Sequence, residues 1–108
     1  NGRTDAAAAF AAESLTLADQ LRDRPGRVFG VGLLAIVAAE LGELERAGRL
    51  WGAIEDERAF APVGGWQRHR DACEAQIRRV ATDELERGRA AGRELELDEA
   101  VEEALDRG

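Results

Sequence analysis

The sequence has no Tyr, no Met and no Lys, one His, one Cys and two Pro in 108 residues. The single cysteine, Cys73, permits no disulfide within the chain, which fits a reducing compartment and makes a cytoplasmic location the expectation. One His and one Cys fall short of the three or four ligands a zinc site needs, unless carboxylates complete the set. β-Branched residues are sparse and no long segment alternates with period two, so no sheet is expected. The longest uncharged run, Val28 to Ala39, falls well below the roughly 20 residues that span a bilayer. No signal peptide and no membrane role are expected. With Asn rather than Met at position 1, the chain is expected to begin inside a longer protein.

What is present is the vocabulary of helices. Ala, Glu, Arg and Leu dominate, and all of these propagate helices well. Charged residues make up 34% and hydrophobic ones 44%, the balance of a folded soluble domain. The length suits one domain, 1–108. Net charge is −7, and the fifteen basic residues are all Arg, scattered among acids. That field repels a polyanion, so direct nucleic-acid binding is not expected.

The chain is organised around Val28–Leu41, VFGVGLLAIVAAEL. A helix apolar on every side is buried on every side, so this segment is expected to be the central helix, running from Arg27 to Leu41. Before it, Thr4 to Asp23 reads as a helix capped by Thr4 or Asp5. Phe10, Ser14, Leu17 and Leu21 recur along it at heptad-like spacing, beside Leu15 and Ala18. Arg24-Pro25-Gly26 is expected to stop that helix. Gly30 and Gly32 are expected to admit a neighbouring helix closely, and Gly42 to form a left-handed cap.

A third helix is expected over Glu43–Arg58, with Leu44, Ala47, Leu50 (or Trp51) and Ile54 inward and Arg46 and Arg49 on the wet face. Phe60 to Gly65 reads as a loop and Trp66–Val80 as a fourth helix. Thr82 is expected to cap a fifth that Gly92 ends. A sixth is expected near Asp98–Asp106, with Leu97, Val101, Ala104 and Leu105 inward.

Helix pairs joined by tight turns point to a helical repeat. The tetratricopeptide pattern, a helix–turn–helix of about 34 residues with small residues at its packing positions, fits residues 27–62: Leu34-Ala35, Ala38, Ala47, Trp51, Ile54 and then Pro62. Residues 63–108 read as C-terminal capping helices. Three strings carry a closer resemblance: Ser14-Leu15-Thr16-Leu17, the run Glu45 to Glu55 (ERAGRLWGAIE), and the run Gly92 to Leu105 (GRELELDEAVEEAL). Together they resemble the C-terminal helical-repeat region of actinobacterial LuxR-type and related signal-transduction ATPase regulators. Departures are Gly42-Glu43 where Gly-Asp is usual, Leu85 and Arg89 where aromatics are frequent, and His69 where Tyr is common. The resemblance implies an all-α fold of five or six antiparallel helices in tetratricopeptide-like hairpins. It also implies a protein-interaction or sensory segment in transcription regulation or signal transduction, with no catalytic residue and no cofactor.

Candidate chemistry is sparse. His69 and Cys73 are four apart on a helix, which suits one metal, but the bland reading is a packing histidine and a small buried hydrophobe. Glu40, Glu43 and Glu45 cluster near one turn, where a carboxylate pair would serve acid–base work; the stronger expectation is that Glu40 pairs with Arg46 or Arg49. Gly30-Val31-Gly32 follows no strand and is no phosphate loop. Arg68/Arg70 and Arg78/Arg79 have acids nearby and read as solvated faces. Trp51, Phe60 and Trp66 are candidates for a partner surface, since Trp is enriched among interface hot spots; core packing is the competing reading for Trp51. Repeats bury their faces on one another, so Phe10, Leu17 and Leu21 are expected to mark an exposed end that pairs with protein, including a homodimer. The rival class is a small ligand binder or enzyme using Glu40 and His69. A pure cap of the array and a sensor read alike.

Overall fold

Two turns of the same kind set the architecture. The computed structural model describes residues 2–55, 71, 74–79 and 82–105. Helix α1 (Gly2–Gln20) ends in Leu21–Asp23, not at Arg24-Pro25-Gly26 as expected, and α2 (Arg24–Glu40) already contains all three residues. Asp23 N–H donates to Ala18 O at 2.9 Å and Arg22 N–H to Asp19 O at 3.2 Å, with Arg22 at φ 57°. This is a Schellman closure with Arg in the left-handed position. Pro25 then sits in the first turn of α2, where its missing N–H leaves nothing unsatisfied. Proline here starts a helix instead of stopping one.

The second closure follows α2. Glu43 N–H donates to Ala38 O at 2.9 Å and Gly42 N–H to Ala39 O at 3.1 Å, with Gly42 at φ 82°. Gly42 therefore fills the left-handed cap that the sequence predicts, and α3 (Leu44–Ile54) returns beside α2. Asp71 and residues 74–79 are helical. Helices α4 (Asp83–Gly92) and α5 (Leu97–Leu105) complete the described elements, and among the described residues every regular element is helical. Thr82 caps α4 as expected, its Oγ1 accepting from Leu85 N–H at 3.2 Å, with Asp83, Glu84 and Glu86 in the first turn favouring the helix dipole. Thr82→Ala is expected to cost about 1 kcal/mol, read as a fall of several degrees in the thermal melt.

Helix α2 packs against α1, α3 and α5. One core joins Leu15 of α1, Val28, Val31 and Ala35 of α2, Leu50, Trp51 and Ile54 of α3, Ile77, Leu85 of α4, and Val101 of α5. The central helix is not buried all round. Phe29 is 38% exposed, and Leu33 and Ile36 are half-buried, so one stripe of α2 reaches the surface. The close approach expected at Gly30 is present: a Cβ there would lie 2.8 Å from Leu15 Cβ.

The tightest contact lies between α3 and α4. A Cβ on Gly48 would meet Leu85 O, one on Gly52 Arg89 O, one on Gly88 Glu45 O and one on Gly92 Arg49 O, each well under 3.0 Å. The two backbones therefore touch, with glycine Cα atoms against carbonyl oxygens, a geometry that admits Cα–H···O contacts. Numbers rise together along both helices, so α3 and α4 run parallel. Gly48 corresponds to Gly88 and Gly52 to Gly92, each forty positions on. Gly92 ends α4 but is not a left-handed cap; its use is this approach.

Candidate functional site

The α1 surface is the first candidate. Thr4, Ala11, Ala12, Leu15 and Ala18 turn inward, which leaves Phe10 64%, Leu17 57% and Leu21 68% exposed on another face of the same helix. Beside them an open groove of 630 Å³ runs between α1 and the end of α5, lined by Glu13, Thr16, Leu17, Gln20 and Leu105 among others. Large apolar side chains at this exposure are the kind of patch that marks a contact surface. Phe10, Leu17 and Leu21 are therefore placed together on open surface. Trp51 is not: at 1% exposure it is a core residue with no surface to offer a partner. It lies on the inward side of α3 with Leu50 and Ile54, and core packing claims it. Phe60, Trp66, His69, Cys73, Arg68 and Arg70 lie outside the described residues.

The carboxylates near the α2–α3 turn lie on the surface. Glu40, Glu43 and Glu45 are all exposed. Glu40 lines an open groove of 240 Å³ with Ile36, Ala39, Gln76 and Arg79. Its expected partners are engaged elsewhere. Arg49 pairs with Glu103 of α5, and Arg46 donates to Ala104 O at 3.0 Å and lies 3.9 Å from Glu43. Both arginines thus tie α3 to α5, where the sequence placed them on a solvated face. Buried Arg27 acts in the same sense from α2: its Nη1 donates to Asp98 at 2.8 Å and lies 3.6 Å from Asp19. Arg78 pairs with Glu74 at 3.2 Å. Among the described residues no three His, Cys, Asp or Glu side chains converge as a metal site requires, and no helix is long and apolar enough to cross a membrane.

One polar cluster escapes sequence reading. Glu55, 5% exposed, follows α3 directly. Arg89 of α4 grips it with two nitrogens, Nε at 3.0 Å and Nη2 at 2.5 Å from Oε2, and Arg93 Nε donates to Oε1 at 2.8 Å. Burial pushes the Glu55 carboxyl up. The hydrogen bonds from Arg89 and Arg93 outweigh it and hold the carboxyl below 4.5. The hydrogen bond to Glu55 likewise raises Arg89, against its own desolvation. The cluster closes the end of the glycine contact as a clamp between α3 and α4, and Arg89 also lies 3.4 Å from Glu86 of its own helix. The available signal was the repeated Gly-Arg-x-x-Gly, at Gly48–Gly52 and Gly88–Gly92.

No family model, curated protein or solved structure matches the chain.

Proposed function

We propose that the chain is a non-catalytic protein-interaction or sensory segment, built of helical repeats, from a transcriptional or signalling regulator. The observation that carries this reading is the parallel contact of α3 and α4 at a constant interval of forty residues, with helical residues at 71 and 74–79 between them. Stacked helical hairpins place equivalent helices side by side and parallel, one repeat apart. A forty-residue interval is longer than the tetratricopeptide unit of about 34, so the reading is of tetratricopeptide-like hairpins with a longer repeat. The three strings that resemble LuxR-type regulators favour the same context, and the open α1 face is the candidate contact surface. With a net charge of −7 the partner is protein, not nucleic acid.

The reading frame upstream of Asn1 tests this context. An ATPase or DNA-binding module encoded in the same frame is the expected result. A frame that encodes neither overturns the regulator reading.

A further inference from the structure

We infer that α3 and α4 form a closed pair about an internal twofold axis and that α4 ends the helical stack, so that no further hairpin packs beyond it. This rests on the repeat reading above and adds where the repeats stop. Three observations carry it. First, the glycine contact is reciprocal. A Cβ on Gly48 or Gly52 of α3 points at the carbonyl oxygen three residues before the partner glycine, Leu85 O or Arg89 O; a Cβ on Gly88 or Gly92 of α4 points in the same way at Glu45 O or Arg49 O. Exchanging the two helices, forty positions apart, turns each of these contacts into another of the set. Two parallel helices exchanged in this way are related by a twofold axis running along them, which makes the contact isologous.

A stack that continues needs the other kind of contact, in which each helix gives one face to its predecessor and a different face to its successor. Here α3 and α4 spend the same face on each other, so α4 keeps no glycine face for a third helix. Second, the outer side of α4 is not a stacking face. Forty positions on from the inward residues Leu44, Ala47, Leu50, Trp51 and Ile54 of α3 stand Glu84, Arg87, Ala90, Ala91 and Glu94 of α4. Ala47, Leu50, Trp51 and Ile54 are at most 1% exposed, whereas all five residues on α4 are exposed. Small and charged side chains thus replace the core residues, which gives α4 the polar outer face that a terminal repeat needs.

Third, the chain itself turns away from that side. Helix α5 packs on α1, α2 and α3, tied there by the ion pairs of Asp98 with Arg27 and of Glu103 with Arg49. The element that follows α4 thus returns to the first helices and leaves the outer side of α4 to solvent.

Two measurements on the 108-residue chain test the proposal. The first reads the axis by NMR of glycine-labelled protein. One Hα of each of Gly48, Gly52, Gly88 and Gly92 is expected downfield of those of Gly30, which meets the Leu15 side chain instead of a carbonyl oxygen. A downfield shift confined to the glycines of one helix overturns the twofold contact. The second reads the outer side of α4. In a Cys73→Ser background, Ala91→Cys is expected to react with a maleimide within about tenfold of its rate in urea, at protein concentrations up to about 1 mM. Slower reaction means that something covers α4, and overturns its terminal role. Arg87→Ala, Ala90→Leu, Ala91→Trp and Glu94→Ile together write the α3 residues onto α4. That variant is expected to self-associate in sedimentation equilibrium, because it offers a face that another hairpin can cover. A helical variant that stays monomeric at about 1 mM overturns the claim that the polar side of α4 is what stops the stack. None of these outcomes touches the reading-frame test, so the two inferences fail separately.

Discussion

Gly48→Ala is expected to destabilise the fold by about 3 kcal/mol or more, although helix propensity alone has alanine gaining about 1 kcal/mol over glycine. The sign reverses because the added methyl has no side chain to displace. It would meet Leu85 O and, at 2.7 Å, Arg89 N, both backbone atoms of α4. Relief requires α3 and α4 to separate, and separation loosens Leu50, Trp51 and Leu85 in the core behind them. Gly88→Ala acts from the other side on Glu45 O and is expected to cost a similar amount. Their combination is expected to cost less than the sum, since one widening of the gap relieves both clashes. Gly42→Ala provides a contrast: nothing lies within 4 Å of its Cβ position, and the penalty is only that of a left-handed backbone, φ 82°, about 1–2 kcal/mol. Urea unfolding followed by far-UV circular dichroism measures all four. A Gly48→Ala protein as stable as the parent would show that the two backbones are not in contact.

Local rules were legible where the chain signals through one neighbourhood. Gly42 as left-handed cap, Thr82 as N-cap, and Leu97, Val101 and Ala104 as the inward face of α5 all follow from spacing and residue chemistry within a turn or two. Pro25 was misread for an equally local reason: proline stops one helix or starts the next with the same residue, and only the left-handed Arg22 decides between them. The glycine contact is a relation between residues forty apart, and its one trace in the sequence is the repeated Gly-Arg-x-x-Gly. Gly-x-x-x-Gly in a charged helix reads as weak helix propensity until its counterpart is known to lie alongside. Glu55 was hidden for the same reason: on sequence it sits among Asp56 and Glu57 in a charged run, and only α4 supplies Arg89 and Arg93. At the candidate surface, Phe10, Leu17 and Leu21 were legible because hydrophobic residues beyond the single inward stripe of a helix have nowhere else to go. Trp51 is equally apolar but lies on the inward side of α3.

Glu55 makes stability depend on acid. Its folded pKa lies below the 4.5 of a free carboxyl, so the charged form is bound more tightly in the folded chain. The stabilisation is fully present above about pH 5 and is lost as pH falls below 4.5 through the folded value. Glu55→Gln is therefore expected to cost about 2–3 kcal/mol at neutral pH, because it leaves Arg89 facing a neutral amide. That cost is expected to shrink steadily as pH drops, since the parent loses the same charge. The decisive measurement is the difference in unfolding free energy between parent and Glu55→Gln across pH 3 to 7, not either curve alone. Whatever the two proteins share cancels in that difference. A gap that stays constant into acid would mean that Glu55 contributes through packing and hydrogen bonding in either protonation state. A gap that closes below pH 4.5 identifies the carboxylate itself, gripped by Arg89 and Arg93, as what holds the ends of α3 and α4 together beyond their glycines. Arg93→Ala is expected to cost less than Arg89→Ala in the same assay, because Arg93 makes one bond to Glu55 from a half-exposed position where Arg89 makes three from a more buried one.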